Sequence, residues 1–183
     1  ALLRGEAHDE AGIAVDVEYA SEYIYRSTQT LRNPCFVVIS QSGETADTSE
    51  ALREAIARGC STIAITNKPE SSMAKLAGCS LPTLAGIERA VPATKSFTTQ
   101  LAVVSLLALY TARVHGSMTR AVVESHLERL FSVPDAMQAA LPRWEKQLSQ
   151  IAATLNDAET FLFLGRGIHY PIAREGALKL KES

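Results

Sequence analysis

The sequence predicts an α/β protein with a parallel sheet and helices on both of its faces. Two observations carry this. Short runs rich in β-branched residues, at 35–39 and 61–66, alternate with stretches of helical period. That alternation belongs to parallel sheets whose crossovers are helical. The second observation is the unit from Cys35 to Arg58: an apolar run, a small polar loop, then a helix with Ala51, Leu52, Ala55 and Ile56 as its stripe.

The elements follow in order. Residues 14–19 alternate apolar and polar, which predicts a strand. Ser21 caps a short helix through Tyr25. Residues 35–39 form the next strand and 46–58 a helix. Residues 61–66 form a third strand, closed by Asn67 and Pro69. Ser71 or Ser72 caps a short helix to Ala77. Residues 80–84 give a fourth strand, interrupted by Pro82. Residues 94–115 read as one long helix with no charge between Lys95 and Arg113. A helix apolar nearly all round belongs in a core or an oligomer interface. Gly116 ends it. Residues 119–133 and 136–156 read as two amphipathic helices, separated at Pro134. Trp144, Leu148, Ile151 and Leu155 share one face of the second. Residues 160–164 predict a strand and 170–182 a helix with Pro171 in its first turn.

Composition narrows the function. Apolar residues make up 46% of 183 residues, so a core can form, and the net charge is −2. No basic stripe is present, which argues against a nucleic-acid partner. The longest apolar stretch, 101–112, is shorter than the ~18 residues of a membrane span. The N-terminal Ala1-Leu-Leu-Arg-Gly-Glu lacks a long apolar core, so a cytoplasmic location is expected. Cys35, Cys60 and Cys79 are odd in number and widely spaced, which points to a reducing compartment and not to a disulfide framework. Cys35 and Cys60 adjoin strands, where small core residues are expected. The four histidines show no metal-ligand spacing, and no cofactor motif appears. Gly165-Arg-Gly167 is not a dinucleotide fingerprint, because the third glycine would fall at Tyr170.

The loop after residue 39 carries the chemistry. Ser40, Gln41, Ser42, Gly43 and Thr45 crowd hydroxyls, an amide and a glycine against a helix start. The first N–H groups of that helix have no internal partner and sit at the positive end of its dipole, where a phosphate fits. The loop therefore reads as a phosphate cradle without the lysine of a P-loop. The same residue types also serve as ordinary helix caps. No Walker motif is present, so nucleoside triphosphate binding is not expected.

Four collinear stretches resemble the sugar isomerase (SIS) domains of the isomerising glutamine–fructose-6-phosphate aminotransferase family. They are Val17-Glu-Tyr-Ala-Ser-Glu22, Ser40-Gln-Ser-Gly-Glu-Thr-Ala-Asp-Thr48, Ala93-Thr-Lys-Ser-Phe-Thr-Thr-Gln100, and Leu164-Gly-Arg-Gly167 with Tyr170-Pro-Ile-Ala-Arg-Glu-Gly-Ala-Leu-Lys-Leu-Lys-Glu182. The resemblance implies a flavodoxin-like three-layer αβα sandwich, duplicated in tandem. On that reading 14–116 is a first SIS domain lacking its first strand–helix unit, 117–158 is a helical connector, and 159–183 opens a second SIS domain. The alternative is that this terminal strand and helix dock beside strand 35–39 and fill the place of the missing unit.

The resemblance also assigns roles. Ser40, Gln41, Ser42 and Thr45 hold the phosphate of a hexose 6-phosphate. The backbone of Val91 and Ala93 lies at the sugar-binding loop; the aminotransferases usually carry serine at the Ala93 position, and Pro92 is uncommon there. Glu182 moves a proton between C1 and C2 of the open-chain sugar, with Lys179 as its neighbouring cation. Three residues apart, they share a helix face. From spacing alone the same residues read as surface ion pairs, Glu175–Lys179 and Lys179–Glu182. The family's ring-opening histidine, Schiff-base lysine and glutaminase domain match nothing in these residues, so the catalytic set is expected to be incomplete within them. The expected activity is aldose–ketose isomerisation in amino-sugar biosynthesis, by a homodimer that needs no cofactor. A phosphosugar deaminase and a non-catalytic phosphosugar-binding module remain as alternatives.

Overall fold

The computed structural model describes residues 13–25, 34–89 and 92–183. They fall into two compact units, Ile13–Ser105 and Leu106–Ser183. The first holds α1 (Ala20–Tyr23), β1 (Cys35–Ser40), α2 (Ala46–Ala57), β2 (Ser61–Thr66), α3 (Ser72–Leu76) and β3 (Cys79–Pro82). Helix α4 (Lys95–Val114) starts there and runs on into the second, which also holds α5 (Arg120–Thr154) and α6 (His169–Glu182).

The sheet of the first unit is parallel, in the order β1-β2-β3. Its register runs from Cys35↔Ser61 to Ser40↔Thr66, and from Ile63↔Cys79 to Thr66↔Pro82. Pro82 ends the edge strand β3, where a missing N–H costs no ladder bond. Side chains alternate across a strand, so Phe36, Val38 and Ser40 share one face with Thr62, Ala64 and Thr66. That face is the core. Val38, Leu52 of α2, Ala64 and Met73 of α3 form one buried cluster, with Phe36 and Ala77 packed against it. Burying a leucine or methionine this completely contributes about 1.5–3 kcal/mol. The α2 stripe read from the sequence holds for Ala51, Leu52 and Ala55, all fully buried, whereas Ile56 is exposed. On the other sheet face Val37 and Ile39 are exposed. Tyr23 of α1 stacks on Phe36 at 4.6 Å between ring centroids, and Arg58 lies over the Tyr23 ring at 5.2 Å.

Several expectations are corrected. Residues 14–19 form no strand; the helix begins only at Ala20, and Val17 is 86% exposed. Residues 160–164 likewise form no strand, and they pair with neither β1 nor any other strand among the described residues. Residues 14–19 alternate apolar and polar and 161–164 are an apolar run, but neither has a ladder partner among the described residues, and an unpaired strand has no ladder bonds of its own. The two helices expected around Pro134 are one, α5, of 35 residues, with Pro134 and Pro142 inside it. Each proline removes one N–H from the i−4 ladder, at the carbonyls of Leu130 and Gln138. Gln138 is exposed and Leu130 half-buried, with 131–139 all exposed, so the segment that loses these bonds lies at the solvent-facing surface. Cys35 and Cys79 are exposed and Cys60 is half-buried, so none is a core residue.

In the second unit, Gly116 closes α4 at φ 75°, with Ser117 N–H donating to the Ala112 carbonyl at 3.0 Å. Helix α4 carries Leu106, Tyr110 and Val114 exposed along one face. It is also the one helix among the described residues long and apolar enough to cross a membrane. On α5 and its C-cap Leu155, Met137, Leu141, Trp144, Leu148, Ile151 and Leu155 recur at intervals of four and three residues, each at least 40% exposed.

Candidate functional site

The carboxyl ends of parallel strands are where open α/β sheets bind ligands. Here Ser40 and Thr66 are register partners at the last position of β1 and β2, which sets the two following loops side by side. The link between them is direct. The Gln41 carbonyl accepts the Asn67 N–H at 3.2 Å and the Thr66 hydroxyl at 3.4 Å.

Within the first loop the hydroxyls have distinct tasks. Ser40 is buried; its Oγ accepts the Gly43 N–H at 3.1 Å and exchanges a hydrogen bond with Thr45 Oγ1 at 3.0 Å. Ser42 Oγ accepts the Glu44 N–H at 3.2 Å. Thr45 is the N-cap of α2, yet its side chain makes no capping bond. A hydroxyl has one proton to give. The Ser40–Thr45 contact uses one of three, so two remain for an acceptor, beside the N–H groups of the first α2 turn. Gln41 and Ser42 are half-buried and Thr45 is exposed. The loop thus brings Ser40, Gln41, Ser42 and Thr45 together in one short turn, with no fixed charge among these four.

Gly43 explains how the loop takes this shape. Its φ is +66°, a left-handed value that favours glycine. A Cβ there would run into Ser71 Oγ, and would lie 2.6 Å from Ser71 Cβ and 2.8 Å from Thr66 Oγ1. The Gly43 carbonyl accepts the Met73 N–H at 3.2 Å, so the loop lies on the start of α3. Beside it, Glu44 Oε1 accepts the Ser72 N–H at 2.8 Å. That backbone bond, with a side-chain contact to Ser72 and the nearby Lys68 and Lys75, holds the Glu44 carboxyl below its usual range.

The sugar-loop residues are partly described. Val91 lies outside the described residues; Ala93 is half-buried in the segment leading to α4. At the start of α4, Glu88 Oε2 accepts the Ser96 hydroxyl at 2.8 Å and the Ser96 N–H at 3.1 Å. These bonds, led by the hydroxyl, hold the Glu88 carboxyl below its usual range.

Lys179 and Glu182 belong to α6 in the second unit. Lys179 Nζ lies 3.2 Å from Glu182 Oε2 and 3.2 Å from Glu175 Oε1. Desolvation works against the ammonium charge, but the hydrogen bonds to Glu175 and Glu182 outweigh it and raise the Lys179 pKa. Both ion pairs read from the helical spacing are therefore formed. No group of three His, Cys, Asp or Glu side chains among the described residues could hold a metal ion.

Sequence reasoning missed Glu44, Thr66, Asn67, Ser71 and Glu88 as parts of the site's frame. Glu44 and Ser71 sit inside or beside recognised loops, but their partners are set by the fold.

The fold and loop define an α/β protein with a hydroxyl-rich loop at the carboxyl edge of a parallel sheet. Residues 11–110 match the SIS domain family, and the chain belongs to it. It is 42% identical over 172 residues to glutamine–fructose-6-phosphate aminotransferase (isomerizing) of Gloeobacter violaceus, and 45% identical over 172 residues to the enzyme of that name from Zymomonas mobilis. Each alignment covers 94% of this chain and 28% of the relative, so the chain spans under a third of the length of these proteins. Among solved structures, the C-terminal domain of glucosamine-fructose-6-phosphate aminotransferase from Francisella tularensis matches with a TM-score of 0.88 and 40% identity. That match covers 91% of this chain and 47% of the other. The sheet and helices agree with the flavodoxin-like αβα fold expected of the family.

Proposed function

We propose that this chain is the phosphosugar-binding part of an isomerising glutamine–fructose-6-phosphate aminotransferase, which converts fructose 6-phosphate to glucosamine 6-phosphate. The observation that carries the reading is the loop at 40–45, where two hydroxyl protons and a helix start are left for an acceptor, while its one carboxylate, Glu44, is engaged by the Ser72 N–H. Ser40, Gln41, Ser42 and Thr45 hold the phosphate, and the backbone of Val91 and Ala93 meets the sugar hydroxyls. Glu182 takes the proton from one of C1 and C2 of the open-chain sugar and returns it to the other, through an enediol-like intermediate. Lys179 Nζ, 3.2 Å away, donates a hydrogen bond to the Glu182 carboxylate.

The tandem arrangement belongs to the same proposal: 14–116 as one SIS domain, 117–158 as a connector, and 159–183 as the opening of a second. So does a cytoplasmic homodimer that acts without nucleic acid, membrane or cofactor. The exposed apolar faces of α4 and α5 support the dimer.

The test is titration of the intact protein with fructose 6-phosphate, followed by assay of solvent-deuterium incorporation into the sugar. Binding with exchange supports the enzyme. Binding without exchange supports a non-catalytic module, a reading that the Lys179 pairs to both Glu175 and Glu182, as ordinary surface bridges, also accommodate. Absence of binding overturns both.

A further inference from the structure

Asn67 lies between the loop at 40–45 and the segment that leads to Ala93, and it is bonded to both. Its backbone N–H donates to the Gln41 carbonyl at 3.2 Å. Its side-chain amide is used on the other side. Oδ1 accepts the Ala85 N–H at 2.8 Å and the Thr83 hydroxyl at 3.2 Å, and Nδ2 donates to the Gly86 carbonyl at 2.6 Å. One amide thus satisfies three groups within four consecutive residues. Those residues need holding. Leu84 has φ +54°, a left-handed value rare for a branched side chain, and its side chain is 80% exposed, so packing does not fix it. Gly86 follows at φ +70°. Such a backbone persists only where its surroundings over-determine it. At its far end the segment is fixed again, by Glu88 on Ser96.

We infer that Asn67 is a positioning residue for sugar recognition: it sets the course of Thr83–Glu88, and so of Ala93, relative to the phosphate loop. The inference rests on the phosphosugar reading above. It predicts a division of labour. The tie to the phosphate loop is a backbone bond, which any residue but proline keeps at position 67. The tie to the sugar side is the amide, which alanine lacks. Asn67→Ala therefore leaves the anion site in place and frees the segment that meets the sugar.

The experiment titrates the intact protein and its Asn67→Ala variant with fructose 6-phosphate and, separately, with inorganic phosphate. The expected result is fructose 6-phosphate binding weakened at least tenfold, with inorganic phosphate binding changed less than twofold. Equal loss for both ligands, or loss for neither, overturns the positioning role and leaves the phosphosugar reading standing. Failure of the unsubstituted protein to bind either ligand overturns that reading and the inference with it. Thr83→Val, which removes one bond to Oδ1, is expected to give a smaller selective loss that Thr83→Ser restores. If Asn67→Ala does not fold, this pair decides: selective loss with recovery supports the role, and no loss overturns it.

Discussion

The carboxylate of Glu44 accepts the backbone N–H of Ser72 at 2.8 Å, across 28 residues of sequence. It turns the one acidic side chain of the 40–45 loop toward the start of α3, and Lys68 and Lys75 lie near enough to favour its charge. Its pKa is lowered in the folded protein. A depressed folded-state pKa contributes stability that is present above the unfolded value, 4.5, and is lost as pH falls through the folded one. Urea unfolding of the protein and its Glu44→Gln variant should therefore differ near neutral pH and converge in acid. A difference that stays constant with pH would remove the carboxylate from the account.

Gly43→Ala is expected to destabilise the protein by about 2 kcal/mol or more, since it combines a strained φ with a Cβ forced against Ser71 and Thr66. Urea midpoints measure it. A loss below about 0.5 kcal/mol would mean that the α3 start gives way easily.

Ser42→Ala deletes one of the two hydroxyl protons left for an anion. Binding of fructose 6-phosphate should weaken by about 1.5–3 kcal/mol, the range for a hydrogen bond to a charged group. Calorimetric titration reads this directly, and an unchanged affinity would take Ser42 out of the site.

Glu182→Gln keeps the shape of the side chain and removes its basicity. In the intact enzyme, deuterium exchange into the sugar should slow by about 10²–10⁴, with sugar-phosphate affinity nearly unchanged. Exchange at the normal rate would reduce Glu182 to a partner in a surface ion pair.

Leu141 and Leu148 stand 54% and 62% exposed on α5. If this face joins two copies, Leu148→Asp should convert a sedimenting dimer to monomer at micromolar concentration. A dimer that survives the change places the contact elsewhere.

The legible parts of this chain are those whose cause is local. Strand β2 lies at 61–66 as its β-branched run predicts, and α2 ends one residue before the predicted limit, with Arg58 as its C-cap. The hydroxyl loop between β1 and α2 was visible because its residue types are unusual together. Residues 14–19 and 160–164 show the opposite case: an alternating or apolar run records surface to be buried, and the ladder needs a second strand that the run cannot supply. Pro134 and Pro142 misled because a helix tolerates them in a stretch as exposed as 131–139. Asn67 read as a strand terminator. Its role comes from partners 16 to 19 residues away, brought close by the parallel pairing of β2 with β3.

The alternating four- and three-residue spacing on α5 has a geometric consequence. It averages 3.5 residues, against 3.6 per helical turn, so the apolar line drifts slowly around the helix by about 20° for each seven residues. Over Met137–Leu155 it winds as a left-handed stripe. A helix lying along that stripe crosses α5 at about 20° with left-handed coiling, whereas one crossing at the steeper angle of globin-like packing would touch the stripe at a single point and leave its ends in water.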